Sequence, residues 1–355
     1  MNDPTSQTGR DGMVVTIAVA EVRRRLAEAV RIAAPLRLPL DAAEGLVAAD
    51  DVIAGAPWPS ANVALADGWA VASIETIGAT PGAPAVVTTA PPVVADGVVP
   101  AGFDAVVPLH QGQVEAGFLL VETAAAPGGN LRRRGADLPE DRPVVRSGAV
   151  FDTLALAAAR LVGTTQVTVR RPRLAIVASD EAGEEVAEFV GRACARLGAA
   201  VVPAGEPCDL PTVAVGGAPS RPPREILTPA LVGAERVRLE IGADGVVLRL
   251  PPRLEVAVAV LEALVAPMID RSAGRVPEAP PPPRPLARKV ASRVGLCELA
   301  LLAITPDGQW TPIAVGELPL EAWLRAEGVL ELPPQSEGSP EGTLVAVLPP
   351  RFLRR

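Results

Sequence analysis

The stretch Arg173–Pro203 constrains the fold more than any other part of the chain. Arg173–Ser179 (RLAIVAS) reads as a buried strand. Glu184–Leu197 follows with helical spacing, Gly198 is positioned to end the helix, and Ala199–Pro203 reads as a second strand. Two strands joined through a helix pack back on each other only in parallel. This predicts an open α/β sheet with ligands bound at the carboxyl ends of its strands. In this chain those ends fall at Ser179–Glu181 and Gly205–Asp209.

Other segments carry other patterns. Val19, Val22, Leu26 and Val30 fall on one face of a helix, with Thr16 as its expected N-cap. A second helix is expected over Ala42–Ala49, with Glu44 in the capping-box position after Asp41. From Asp51 to Val150, short Val-rich runs (Ala85–Thr88, Ala105–Pro108, Phe118–Glu122, Val144–Val145) alternate with Pro, Gly and Asp, the mark of a β region. Helices are expected at Thr153–Leu161 and Val256–Ile269, and Pro211–Pro229 is poor in helix signal. Pro277–Pro285 reads as a semi-rigid linker, with a strand-rich unit and one helix, Leu320–Ala326, beyond it.

Composition then excludes chemistries. The chain of 355 residues has one histidine, His110, no tyrosine, three cysteines, and 33 basic residues of which Lys289 is the single lysine. His-rich zinc sites, His–His acid/base pairs and tyrosine catalysis are ruled out. Carboxylates, arginines, hydroxyls and backbone amides are left. A net charge of −8 argues against a nucleic-acid surface. Cys194, Cys208 and Cys297 form no CxxC and suggest neither a disulfide framework nor a zinc knuckle, so a reducing cytoplasm is expected. The most apolar stretch contains Glu262 and Pro267, which predicts a buried helix and no membrane span. Met1–Gly12 is polar and expected to be disordered, and Met13 is a second candidate start beside Met1.

Six segments, in order, resemble one family, the MoeA/gephyrin-type molybdopterin molybdenumtransferases. They are Leu40–Ala54 (LDAAEGLVAADDVIA), Ala64–Val71 (ALADGWAV), Pro100–Val107 (PAGFDAVV), Gly129–Asp137 (GNLRRRGAD), Arg171–Val177 (RPRLAIV) and Leu250–Pro267. The resemblance implies an α+β multidomain chain. An elongated helical domain (15–50 plus 151–172) would carry an inserted β domain (51–150). A shortened molybdopterin-binding α/β domain (173–275), a Pro-rich linker (276–286) and a C-terminal β-barrel-like domain (287–355) would follow, with residues 1–14 as a tail. It also implies a homodimer that inserts molybdate into adenylated molybdopterin with Mg²⁺ and releases AMP.

Carried onto this sequence, the resemblance makes Asp67, Glu181 and Asp209 catalytic candidates. Gly68, Arg132, Arg134, Ser179, Gly216 and Gly217 become substrate contacts, and Asp67 and Asp180 Mg²⁺ ligands. Each has a plainer reading. Asp67-Gly68 is a common turn pair. Arg132–Arg134 is a solvated run in which Asp137 pairs with an arginine. Ser179 and Asp180 are good helix caps, and Asp209 is a turn residue. Trp69 replaces the family's tyrosine. The family's Ser-Thr-Gly-Asp-Glu has become Ala178-Ser179-Asp180-Glu181, its glycine-rich pterin loop GGAPS with Pro219, and its Leu-Pro-Gly-Asn-Pro LPPRL with Pro252. Prolines remove N–H donors from a phosphate cradle. These losses point to reduced turnover. They also support an alternative, a non-catalytic paralogue that binds molybdopterin or partners a true molybdenumtransferase or a molybdoenzyme.

Overall fold

The computed structural model describes residues 15–202, 210–217, 223–242 and 245–353. The tail, Asp209, Pro219 and Cys208 lie outside the described residues. Six α-helices occur among them: α1 (Val19–Ala29), α2 (Thr153–Leu161), α3 (Glu181–Arg196), α4 (Leu254–Val260), α5 (Ala266–Ala273) and α6 (Leu320–Arg325). The largest sheet has seven strands, labelled here in chain order: β1 (Val15–Ile17), β2 (Arg173–Ala178), β3 (Ala200–Val202), β4 (Thr212–Val215), β5 (Glu225–Pro229), β6 (Arg238–Gly242) and β7 (Gly245–Leu250).

Their spatial order is β1-β5-β6-β7-β4-β2-β3. The neighbours β7, β4, β2 and β3 run parallel, as do β1 and β5, while β6 is antiparallel to both β5 and β7. The carboxyl ends of β5, β7, β4, β2 and β3 therefore share one edge. Helix α3 crosses from β2 to β3, burying Gly183, Val186, Val190, Ala193 and Cys194 on one face.

The strand–helix–strand prediction holds; Pro211–Pro229, read as poor in helix, contributes the strands β4 and β5, and β6 and β7 follow it. The helix expected at Val256–Ile269 is longer: α4, a π-helical turn at Leu261–Val265, and α5. Arg23 Nε of α1 donates to Ala263 O in that turn at 2.7 Å, which gives a carbonyl of the irregular segment a partner.

Two expectations near the N-terminus fail. Ala42–Ala49 is not a helix: Leu40–Ala42 is a 3₁₀ turn and Val47–Ala48 a strand paired to Val169 and Arg170. Good helix formers lose here to pairing with a neighbouring strand. Glu44 therefore caps no helix, and the expected N-terminal helical pair does not form. Thr16 lies in β1, and α1 starts after Ala18 with no side-chain cap. Moreover, Val19, Val22 and Leu26 of α1 join the core of the seven-stranded sheet. Helix α2 packs elsewhere, with Phe151, Val167 and Val169 against the ladder Pro35–Pro39, Gln166–Arg170 and Val47–Ala48.

Between these lie the short ladders of the β region. Gly68–Val71 pairs with Ala105–Pro108, and Phe118–Val121 with Gly112–Glu115 and Ala85–Val87. Near the C-terminus, Glu298–Ile304 is the centre of an antiparallel three-stranded sheet, and α6 follows it. Phe352 packs onto the core of the seven-stranded sheet, its ring 5.7 Å from Trp323 of α6 and 6.3 Å from Phe189 of α3. No helix is long and apolar enough to cross a membrane among the described residues.

Candidate functional site

The chain moves from β2 to β3 on one side and later to β4 on the other. The point between β2 and β4 is a topological switch, where open α/β sheets leave a crevice. Ser179 and Asp180 end β2 there, and Gly216 and Gly217 end β4. The two turns touch. Ser179 N–H donates to Val215 O at 3.0 Å. A Cβ on Gly217 would stand 2.3 Å from Ser179 Oγ, and one on Gly216 3.3 Å from Asp180 Oδ2. Both glycines have left-handed φ, +74° and +64°, which favours glycine at both, and at Gly217 the Ser179 side chain adds a steric reason. The structure thus brings together Ser179, Asp180, Gly216 and Gly217, four of the predicted residues.

Asp180 is already in use. Its Oδ1 accepts from Gly183 N–H at 2.9 Å as the N-cap of α3, and Glu181 and Glu184 follow in the first turn. These carboxylates complement the positive helix end and oppose an incoming anion. Ser179 and Glu181 are exposed.

Two residues that the sequence reading passed over hold this edge. Glu240 of β6 is buried and takes a two-pronged ion pair from Arg249 of β7, Nε to Oε1 at 2.7 Å and Nη2 to Oε2 at 2.9 Å. Arg249 Nη1 donates to Gly216 O at 3.0 Å, and Gly216 N–H donates to Leu250 O at 2.8 Å. The signal was the period-two pattern on either side of Gly242–Gly245, which places Glu240 and Arg249 on one face of a hairpin.

Beside this edge, past the ends of β5 and β7, lies a cleft of about 790 Å³. Gly233 and Glu235, Arg253 and Glu255 at the start of α4, and Arg293 and Gly316 of the C-terminal region line it. Arg253 pairs with Glu255 at 2.5 Å. Buried Glu298 accepts from Arg293 N–H at 2.9 Å and leaves no room for a side chain at Gly316 (φ +71°). Arg253, the arginine of the LPPRL segment, thus borders an open cleft.

The β-region candidates form a separate group. Asp67 is exposed on its turn, with Oδ1 accepting from Ala95 N–H at 2.7 Å. Gly68 has a hard requirement: a Cβ would lie 2.0 Å from Val107 O of the paired strand. Arg132 pairs with Asp137, and Arg134 with Glu140 at 2.9 Å, so both have carboxylate partners. Trp69 packs against the core of this region. His110 is exposed beside Gln111. Asp104 Oδ1 and Oδ2 accept from the Ser73 N–H at 2.6 Å and hydroxyl at 2.8 Å, which holds its carboxyl below the usual range. Burial pushes the Cys194 and Cys297 thiols up to about 12.

Among the described residues no group of three or more His, Cys, Asp or Glu is arranged to hold a metal. Asp67 and Asp180 each offer one carboxylate with Oδ1 already engaged. That fits only a hard cation completing its shell with water and ligand phosphate, as Mg²⁺ does.

Comparison with known proteins agrees with this architecture. Residues 17–163 match the model of the MoeA N-terminal region, domains I and II. Molybdopterin molybdenumtransferase 2 of Mycobacterium tuberculosis is 29% identical over 189 residues, covering 48% of this chain and 46% of that protein. The chain thus spans about half the length of that relative. Molybdopterin molybdenumtransferase 1 of the same organism is 24% identical over 339 residues, covering 73% of this chain and 79% of that protein. The molybdopterin biosynthesis moeA protein of Pyrococcus horikoshii OT3 superposes with a TM-score of 0.75 at 19% identity, over 94% of this chain and 99% of that one. Residues 17–163 thus match the MoeA N-terminal region, and the chain as a whole is similar in sequence to molybdopterin molybdenumtransferases and in fold to moeA proteins.

Proposed function

We propose that this protein acts in molybdenum cofactor biosynthesis and binds molybdopterin at the carboxyl edge of the seven-stranded sheet and the adjoining cleft. The observation that carries this reading is the Ser179–Asp180/Gly216–Gly217 contact at the switch point of a MoeA-type fold. The finer proposal is insertion of molybdate into adenylated molybdopterin with release of AMP. In this reading Gly216 and Gly217 let the ligand approach the backbone, Ser179 offers a hydroxyl, and the mixed charges of Arg253, Glu255 and Arg293 orient a polar ligand in the cleft. Glu181, exposed at the start of α3, is an acid/base candidate; the other candidate, Asp209, lies outside the described residues.

Asp67 and Asp180 would hold Mg²⁺ through their second oxygens. The ion would neutralise phosphate charge and polarise the bond to the leaving AMP. Asp67, Gly68, Arg132 and Arg134 belong to the other subsite, for which a homodimer, one copy's β region facing another's α/β edge, is the proposed assembly. The proposed setting is the cytoplasm.

One observation favours a second reading. Asp180 caps its own helix and two glutamates crowd the first turn, so this edge lacks the anion-attracting helix end that phosphate binding exploits. On that ground the protein is a molybdopterin-binding scaffold for a true molybdenumtransferase or a molybdoenzyme.

A single assay separates them. Purified protein is given adenylated molybdopterin, molybdate and Mg²⁺, and AMP is followed. AMP release that Asp67→Ala abolishes supports the transferase. Molybdopterin binding without AMP release supports the scaffold. Absence of binding rejects the proposed site.

A further inference from the structure

At the switch point Gly216 is half-buried and Gly217 exposed, and two αL residues in succession have little of their own to fix them. Its anchorage is therefore informative. Gly216 is held at both ends of its backbone: its N–H by Leu250 O at 2.8 Å and its carbonyl by Arg249 Nη1 at 3.0 Å. Arg249 cannot swing away, because Glu240 grips its guanidinium at two points and the pair is largely withdrawn from solvent, with side chains 15% and 7% exposed. The Arg249 fork also lies over the turn, with Nη1 3.9 Å from where a Gly217 Cβ would be and Ser179 Oγ 2.3 Å from the same point. A planar guanidinium with its donors in a rigid fork meets both geometries at once, and a lysine ammonium does not.

We infer that Glu240 and Arg249 form a positioning pair that sets the Gly216–Gly217 turn against Ser179, and that the ligand affinity of this edge depends on it. The part concerning ligand rests on the reading given under Proposed function; the part concerning the turn does not. Neither residue is asked to touch the reacting atoms. The pair acts through the turn's carbonyl, at a position where the glycine edge alone gives a ligand no fixed backbone to bind.

The test uses the full-length protein in three forms: wild type, Glu240→Leu/Arg249→Met, and Arg249→Lys. Replacing a buried ion pair by apolar residues of similar size is often neutral for folding, so the double variant is expected to unfold at an unchanged urea midpoint. Two readouts are taken on each form: amide hydrogen exchange at Gly216, and molybdopterin binding. In the double variant the Gly216 amide is expected to exchange at least tenfold faster, with the β2 and β7 amides unchanged, and molybdopterin affinity to fall about tenfold. Arg249→Lys, which keeps the charge, is expected to show the same faster exchange. That separates positioning by the fork from a general effect of charge.

Exchange at Gly216 unchanged in both variants overturns the proposal. Faster exchange with unaltered affinity overturns its ligand half. Should the double variant fail to fold, Arg249→Lys with normal exchange overturns it alone. If wild type binds no molybdopterin, the functional reading fails, while the exchange data still decide whether the pair sets the turn.

Discussion

Gly68 and the Gly216–Gly217 pair each stand beside an aspartate, Asp67 and Asp180, and each needs glycine for a different reason. At Gly68 the obstacle is backbone: Val107 O of the paired strand would lie 2.0 Å from an added Cβ. Only separation of the two strands relieves that. At Gly216 and Gly217 the obstacles are the positive φ values and the side chains of Asp180 and Ser179. The first glycine serves a ladder and the second pair serves an open edge. What occupies the space of a missing Cβ therefore separates a structural glycine from one that leaves a surface accessible.

The largest test of this contrast lies beneath the edge. Glu240→Leu alone leaves Arg249 buried without its partner and is expected to cost about 3–5 kcal/mol of stability in urea unfolding; an unchanged midpoint would show that the pair is not coupled. Next, Gly68→Ala is expected to lose about 1–3 kcal/mol, with the Gly68–Val71 and Ala105–Pro108 amides losing exchange protection together. Retained protection would place the obstacle elsewhere. Gly217→Ala is expected to cost about 1–2 kcal/mol, the strain of a left-handed alanine, and to leave the β-region amides untouched. Loss of protection there would erase the distinction between the two turns. Asp180→Ala removes the α3 cap for about 1 kcal/mol, and its effect should be confined to the first turn of α3.

The smallest expected effect depends on pH. Asp104 is held below the ordinary carboxyl value by the Ser73 N–H and hydroxyl. Its contribution is therefore complete above about pH 4 and lost as pH falls through the lowered value. The urea midpoint of wild type should fall faster in this acid range than that of Asp104→Asn. Parallel curves would reject the assignment.

Much of the fold was readable where a segment's own pattern decides its structure. The apolar run of β2, the one-faced spacing of α3 and the helix Thr153–Leu161 all depend on local pattern. Failure came where a distant partner decides. Three residues of β1 become a strand only because Leu227–Pro229 lies alongside them. Val47–Ala48 leaves a helical sequence to pair with Val169–Arg170. The site divides in the same way. Asp180 as a cap and the Gly216–Gly217 turn could be read from residue types, whereas the Glu240–Arg249 pair exists only through hairpin register and burial. Paired arginines also differ by setting. Arg132 and Arg134 meet their carboxylates in solvent, and Arg249 meets Glu240 out of it.

The joining of α1 to the main core also has a consequence in time. Arg23 reaches across to Glu331, 308 residues further along, and Arg25 to Glu225, 200 residues along. At a ribosomal pace of about 5–20 residues per second, the apolar face of α1 waits on the order of ten seconds or more for the surfaces that cover it. Contacts of such high sequence separation slow folding. The nascent chain thus keeps Val19, Val22 and Leu26 uncovered until those surfaces emerge, which makes early α1 a segment for a chaperone to hold.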